Sequence, residues 1–190
     1  MQLELTFKAV QNVPMLMHSA ALADPLNELT RELKKISAKR KKVDADHEEM
    51  ARIEFIGSLY YDEQMGVFIP GENIDSMMVG AAKKLKLGTA FKSAVFVAED
   101  LPLIYEGPRT PDALWEDKRF RFRKAVRVQT NRLVRTRPQF YNWSLKVPFT
   151  ILEGAEIDRD QVIEVAHIAG ERIGLGDWRP RFGRFTVETE

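Results

Sequence analysis

Hydrophobic and polar positions alternate from the start of the chain. Across residues 2–10, Leu3, Leu5, Phe7 and Ala9 share one face while polar side chains and Val10 fill the other, which is the period of a half-buried strand. From Asp24 the period changes. Leu26, Leu29, Leu33 and Ile36 recur at spacings of three and four behind Asp24–Pro25, predicting an amphipathic helix capped by Asp24. A second helix through ADHEEMARIEF takes Asp44 as its cap, and SLYYDEQMGVFIP predicts a hairpin turning at Gly66. Ile74, Met77, Met78, Ala81, Ala82 and Leu85 mark a third helix that stops at Gly88, ahead of a strand in SAVFVA.

Thr110 and Pro111 are placed to start a short helix. Strand alternation then returns from Phe120 to Thr130, with Phe120, Phe122, Lys124, Val126 and Val128 on one face and Arg119, Arg121, Arg123 and Arg127 on the other. One face is expected to pack and the other to be cationic. Trp143, Leu145, Val147, Phe149 and Ile151 mark a further strand, Asp158 caps a last helix, and GRFTVE closes the chain as a strand. This order predicts an α+β fold: a mainly antiparallel sheet with helices on one face. A single domain over residues 1–190 is expected, with a helical and hairpin insertion at about 20–90.

Composition narrows the chemistry. The 190 residues include no cysteine, which excludes disulfides and thiol catalysis, and His18, His47 and His167 show no ligand spacing. No metal site or cofactor is expected. The N-terminal segment lacks a signal-peptide pattern and no stretch has the length of a membrane span, so a cytoplasmic location without membrane partners is expected. Net charge is only +1, yet Lys118 to Arg137 carries nine cations and no acid. Cations alternating on one strand repel each other unless an anion lies across them, which makes Arg119, Arg121, Arg123, Arg127, Arg135 and Arg137 candidates for binding a polyanion. Lys39, Arg40, Lys41 and Lys42 form a second basic cluster at a helix end, where the helix dipole also favours cations.

The stretch IGLGDWRPRFGRFTVE places Gly174, Gly176 and Gly183 beside Trp178, Phe182, Arg179, Arg181 and Arg184. Its glycines suit either phosphate cradling or a tight turn after a helix, and its aromatics offer faces on which bases could stack. His18 is the one weak candidate for acid or base catalysis; no second catalytic group accompanies it.

LELTFKAVQNVPMLMHS, ADPLN, ARIEFIGSLYYDEQMGVFIP, RTRPQFYNW and AGERIGLGDWRPRFGRFTV together resemble a family of uncharacterised bacteriophage and prophage proteins, over nearly the whole chain. The N-terminal strand leading into VPMLMHS, and the last helix followed by GLGDWRPRFGRFTV, are similar to the RAMP superfamily of CRISPR effector backbone subunits and processing endonucleases. Asp177 and Trp178 depart from that superfamily's more uniformly glycine-rich and basic loop. The second resemblance implies a modified ferredoxin-like (RRM-like) core with helical insertions that binds single-stranded DNA or RNA, and an assembly that extends as a homo-oligomer or filament along the strand. The expected protein is thus a phage-encoded, non-catalytic strand binder in the host cytoplasm. Alternatives are a metal-independent endoribonuclease using His18, or an interaction protein that assembles virions or inhibits a host defence complex.

Overall fold

The computed structural model describes residues 1–128 and 131–189. Among the described residues, ten strands and six α-helices follow one another. The first half contains β1 (Gln2–Ala9), β2 (Met15–Leu16), α1 (Glu28–Ser37), α2 (Asp44–Ile56), β3 (Tyr61–Asp62), β4 (Gly66–Ile69), α3 (Gly71–Ala82), α4 (Gly88–Ala94) and β5 (Val95–Phe96). The second half contains β6 (Leu101–Pro102), α5 (Pro111–Glu116), β7 (Arg121–Val128), β8 (Asn131–Phe140), β9 (Ser144–Ile151), α6 (Arg159–Ile168) and β10 (Phe185–Thr189). The fold is α+β with antiparallel sheets. It divides into two compact units, one formed by residues 1–15, 62–106 and 140–190, the other by residues 16–61 and 107–139.

The first unit grows from the alternation seen in the sequence. Leu3, Leu5 and Phe7 of β1 are buried while Gln2, Glu4 and Lys8 are exposed, and β9 buries Leu145, Val147, Phe149 and Ile151 in the same way. The register pairs Leu3 with Phe149, Leu5 with Val147 and Phe7 with Leu145, so the two apolar faces coincide. Phe185 of β10 stacks on Phe7 with ring centroids 4.3 Å apart. Two helices cover this face: α3 through Ile74, Met77, Met78 and Ala81, and α6 through Val162, Val165 and Ala166, all fully buried. The sheet order is β10-β1-β9-β5, with every pairing antiparallel. With α3 crossing from β1 to β5 and α6 from β9 to β10, that is the βαββαβ connectivity of a ferredoxin-like fold.

The second unit is assembled from two insertions into that connectivity. Residues 16–61 interrupt the passage from β1 to α3, and residues 107–139 interrupt the passage from β5 to β9. The helices α1, α2 and α5 surround a core that includes Ile53, Phe55, Leu114 and Trp115, where Phe55 meets Trp115 edge-on at 5.5 Å. The β7–β8 hairpin belongs to this unit, with Arg121 opposite Pro138 and Arg127 opposite Arg132.

Several local expectations are corrected. Helix α1 is capped by Asn27, whose Oδ1 accepts from Leu29 N at 2.9 Å, while Asp24 accepts from Leu26 N and so forms the turn before it. Asp44 is the first residue of α2, and it is Asp46 that closes that end by accepting from Val43 N at 3.0 Å. Helix α3 stops at Ala82 with Lys86 in the left-handed region, and Gly88 opens α4, which takes Ser93 and Ala94 of the expected SAVFVA strand and leaves Val95–Phe96 as β5. Asp158 does cap α6, in a reciprocal box with Gln161. The strand expected to reach Thr130 is described as far as Val128, and Thr130 lies outside the described residues.

Candidate nucleic-acid interface

Two of the three glycines of the C-terminal loop are explained by the chain itself. Gly183 has φ 73°, and a Cβ there would lie 1.7 Å from Leu175 O; Gly174 has φ 77°, and a Cβ there would lie 2.8 Å from Phe182 O. The two arms of the loop are joined where Leu175 N donates to Gly183 O at 2.9 Å, and Gly183 N donates to Pro14 O at 2.9 Å, which ties the loop to the segment after β1. These two N–H groups are therefore spent within the protein. What the closed loop displays is side chains: Arg179, Arg181 and Arg184 are exposed, and Trp178 and Phe182 are half-buried with ring centroids 6.2 Å apart. The Arg181 guanidinium lies 6.0 Å from the Phe182 ring. Trp178 itself has φ 52°, a backbone conformation that bulky residues seldom adopt, and Asp177 Oδ1 accepts from its N–H at 2.9 Å.

In the second unit the candidate arginines separate by role. Glu54, on α2 and nearly buried, accepts from Arg135 Nη1 at 3.1 Å, Arg137 Nη1 at 3.0 Å and Thr136 N at 2.9 Å. Arg137 is only 7% exposed, so this carboxylate compensates a buried charge and ties β8 to α2. Arg121 is held too: its guanidinium sits 4.5 Å from the Trp115 ring centre and 3.7 Å from Glu48. Arg119 forks onto Asp117, whose pKa is lowered chiefly by that hydrogen bond. Beyond these anchored residues Arg123, Lys124, Ala125 and Arg127 are all exposed. Three of them are consecutive, so both faces of the hairpin are open there, and Lys124 does not join a packed face as the alternation suggested.

His18 is exposed and belongs to the Glu54 cluster. A guanidinium can only donate, so His18 Nε2, 3.5 Å from Arg137 Nη2, accepts, and Nδ1 carries the hydrogen that points to Ser58 Oγ at 3.4 Å. Ser58 in turn donates to Glu54 O at 2.7 Å. The Lys39–Lys42 run forms the link between α1 and α2, where Lys39 pairs with Asp46 at 2.5 Å, Lys42 donates to Lys39 O at 2.9 Å, and Arg40 and Lys41 are exposed.

Sequence reasoning missed Glu54, the residue that anchors Arg135 and Arg137. A signal was present: it stands between Ile53 and Phe55 in RIEFIG, and an acid embedded in an apolar run needs a cationic partner if it is buried. Among the described residues no cluster of three potential metal ligands occurs, and no helix is long and apolar enough to cross a membrane. Comparison with models of protein families and with curated proteins finds no match.

Proposed function

We propose that this protein is a phage-encoded, non-catalytic binder of single-stranded nucleic acid. The observation that carries the reading is the β7–β8 hairpin, where Arg123, Lys124 and Arg127 stand exposed beyond arginines already neutralised by acids. Exposed cations on neighbouring positions of a β-ribbon suit a phosphate backbone, which supplies most of the affinity in sequence-independent binding. The ferredoxin-like connectivity of the first unit supports the same reading, as does the loop that presents Trp178, Phe182 and three arginines, since such aromatics stack bases of any sequence. Assembly along the strand as a homo-oligomer in the host cytoplasm belongs to this proposal through the RAMP resemblance.

Fluorescence anisotropy with matched single-stranded DNA, single-stranded RNA and duplex tests it. Single strands should bind more tightly than duplex, and Arg123→Glu with Arg127→Glu should abolish binding while leaving the circular dichroism spectrum unchanged. No binding at low salt would overturn the proposal and favour a protein partner for the hairpin.

A further inference from the structure

Helices α1 and α2 and the β7–β8 hairpin, all in the second unit, enclose an open groove of about 840 Å³. That is the size of a small-ligand site. Its walls are apolar, formed by Leu22, Leu33, Met50, Leu133 and Val134. The last two are 42% and 58% exposed, an unusual display for large side chains on neighbouring positions. Its rim is cationic, with Lys34 from α1, Lys42 from the link to α2, and Arg123 and Arg135 from the hairpin. Glu54 is the acid lining it, and its oxygens are taken up by Arg135, Arg137 and Thr136 N. Thr30 also lines the groove; it is 5% exposed and its hydroxyl has no hydrogen-bond partner. A buried hydroxyl left unpaired costs about 1–3 kcal/mol; the oxygen itself is covered, so an occupant with a polar edge gains this hydrogen bond by turning the Thr30 side chain toward the groove.

These features discriminate among occupants. An aliphatic chain with one carboxylate would fill the walls but leave the Thr30 hydroxyl unpaired and most of the rim unused. An acidic peptide would use the rim, but its charges sit at the ends of flexible side chains and not in a backbone on either side of a flat ring. A nucleotide in a strand has all three parts: apolar ring faces, a polar base edge, and a phosphate on either side. We infer that the groove receives one unstacked nucleotide of a bound single strand. Its base lies between Met50 and Leu133, its edge meets the Thr30 hydroxyl, and the flanking phosphates lie against Lys34, Lys42 and Arg123. The inference rests on the strand-binding reading and adds to it a defined seat for a base. Extruding a base from a single strand carries a small energetic cost, which the groove's walls and the hydroxyl can offset.

The test uses the full chain, methyl-labelled for nuclear magnetic resonance, with oligothymidylate or oligouridylate, whichever binds better, and an abasic strand of equal length. The intact strand should shift the Met50, Leu133 and Val134 methyl signals, and the abasic strand should not. Met50→Trp, which fills the groove without altering charge, should cut the affinity ratio of intact to abasic strand about tenfold, leaving abasic affinity as in the wild type. If that variant does not fold, Thr30→Val, which removes only the hydroxyl, should lower the same ratio in the same direction. Strands that bind while these methyl signals stay still, or an abasic strand that shifts them equally, would overturn the groove assignment and leave the strand-binding proposal standing. Failure of both strands to bind would overturn the proposal itself, and the groove assignment with it.

Discussion

Replacing Glu54 by alanine would remove the carboxylate that receives Arg137, a side chain with almost no access to water. Removing one partner of a buried ion pair costs about 3–5 kcal/mol because the remaining charge stays in a poor solvent. Glu54→Ala should therefore destabilise the protein by that amount, measured by urea denaturation. A loss below about 1 kcal/mol would place the pair in the class of solvent-screened surface bridges instead. The same carboxylate explains why the basic run read differently in sequence and in space. Nine cations without an acid between Lys118 and Arg137 look like one patch, but Arg119 faces Asp117 just before the run, and Glu48 and Glu54, the acids that face Arg121, Arg135 and Arg137, come from α2, more than sixty residues earlier in the chain. No local pattern reports such a pairing.

At the level of elements, strands with strict alternation were legible and helix ends were less so. The apolar residues of β1 and β9 fall on one buried face as their period requires, and Asp158 and Thr110 cap the helices expected of them. Asp24 and Asp44 were misread because Asp and Asn stabilise a turn as readily as a helix start, and both kinds of residue stand within three positions of the true boundary. For the C-terminal loop, the sequence left phosphate cradling and a tight turn as open alternatives, and close approach of the loop's own backbone requires glycine at Gly174 and Gly183. Gly183→Ala provides the check. Alanine at φ 73° is strained, and its Cβ would collide with Leu175 O, so the loop must open. The expected loss exceeds the roughly 1 kcal/mol typical of a mismatched backbone position. It should appear as a lower melting temperature, together with faster hydrogen exchange at the Leu175 amide. An unchanged melting temperature would mean that the two arms of the loop are not held together as described.

For the molecule as a whole, a net charge of +1 gives no long-range field to draw in a polyanion. Any salt dependence of strand binding must then come from individual cations that displace counter-ions locally. Each phosphate contact on a single strand contributes about 0.7 to the slope of log affinity against log salt. Arg123→Ala with Arg127→Ala should accordingly flatten the slope by about 1.4, because both side chains are exposed on the hairpin. Arg119→Ala should leave the slope nearly unchanged, since its guanidinium already faces Asp117 at 2.6 Å. The contrast tests whether a cation that faces an acid within the protein contributes to binding as exposed hairpin arginines do, and it does so without changing the fold's buried charges. Equal flattening by all three replacements would show that charge count alone governs binding. In that case the division of the arginines by their acid partners would have no bearing on recognition.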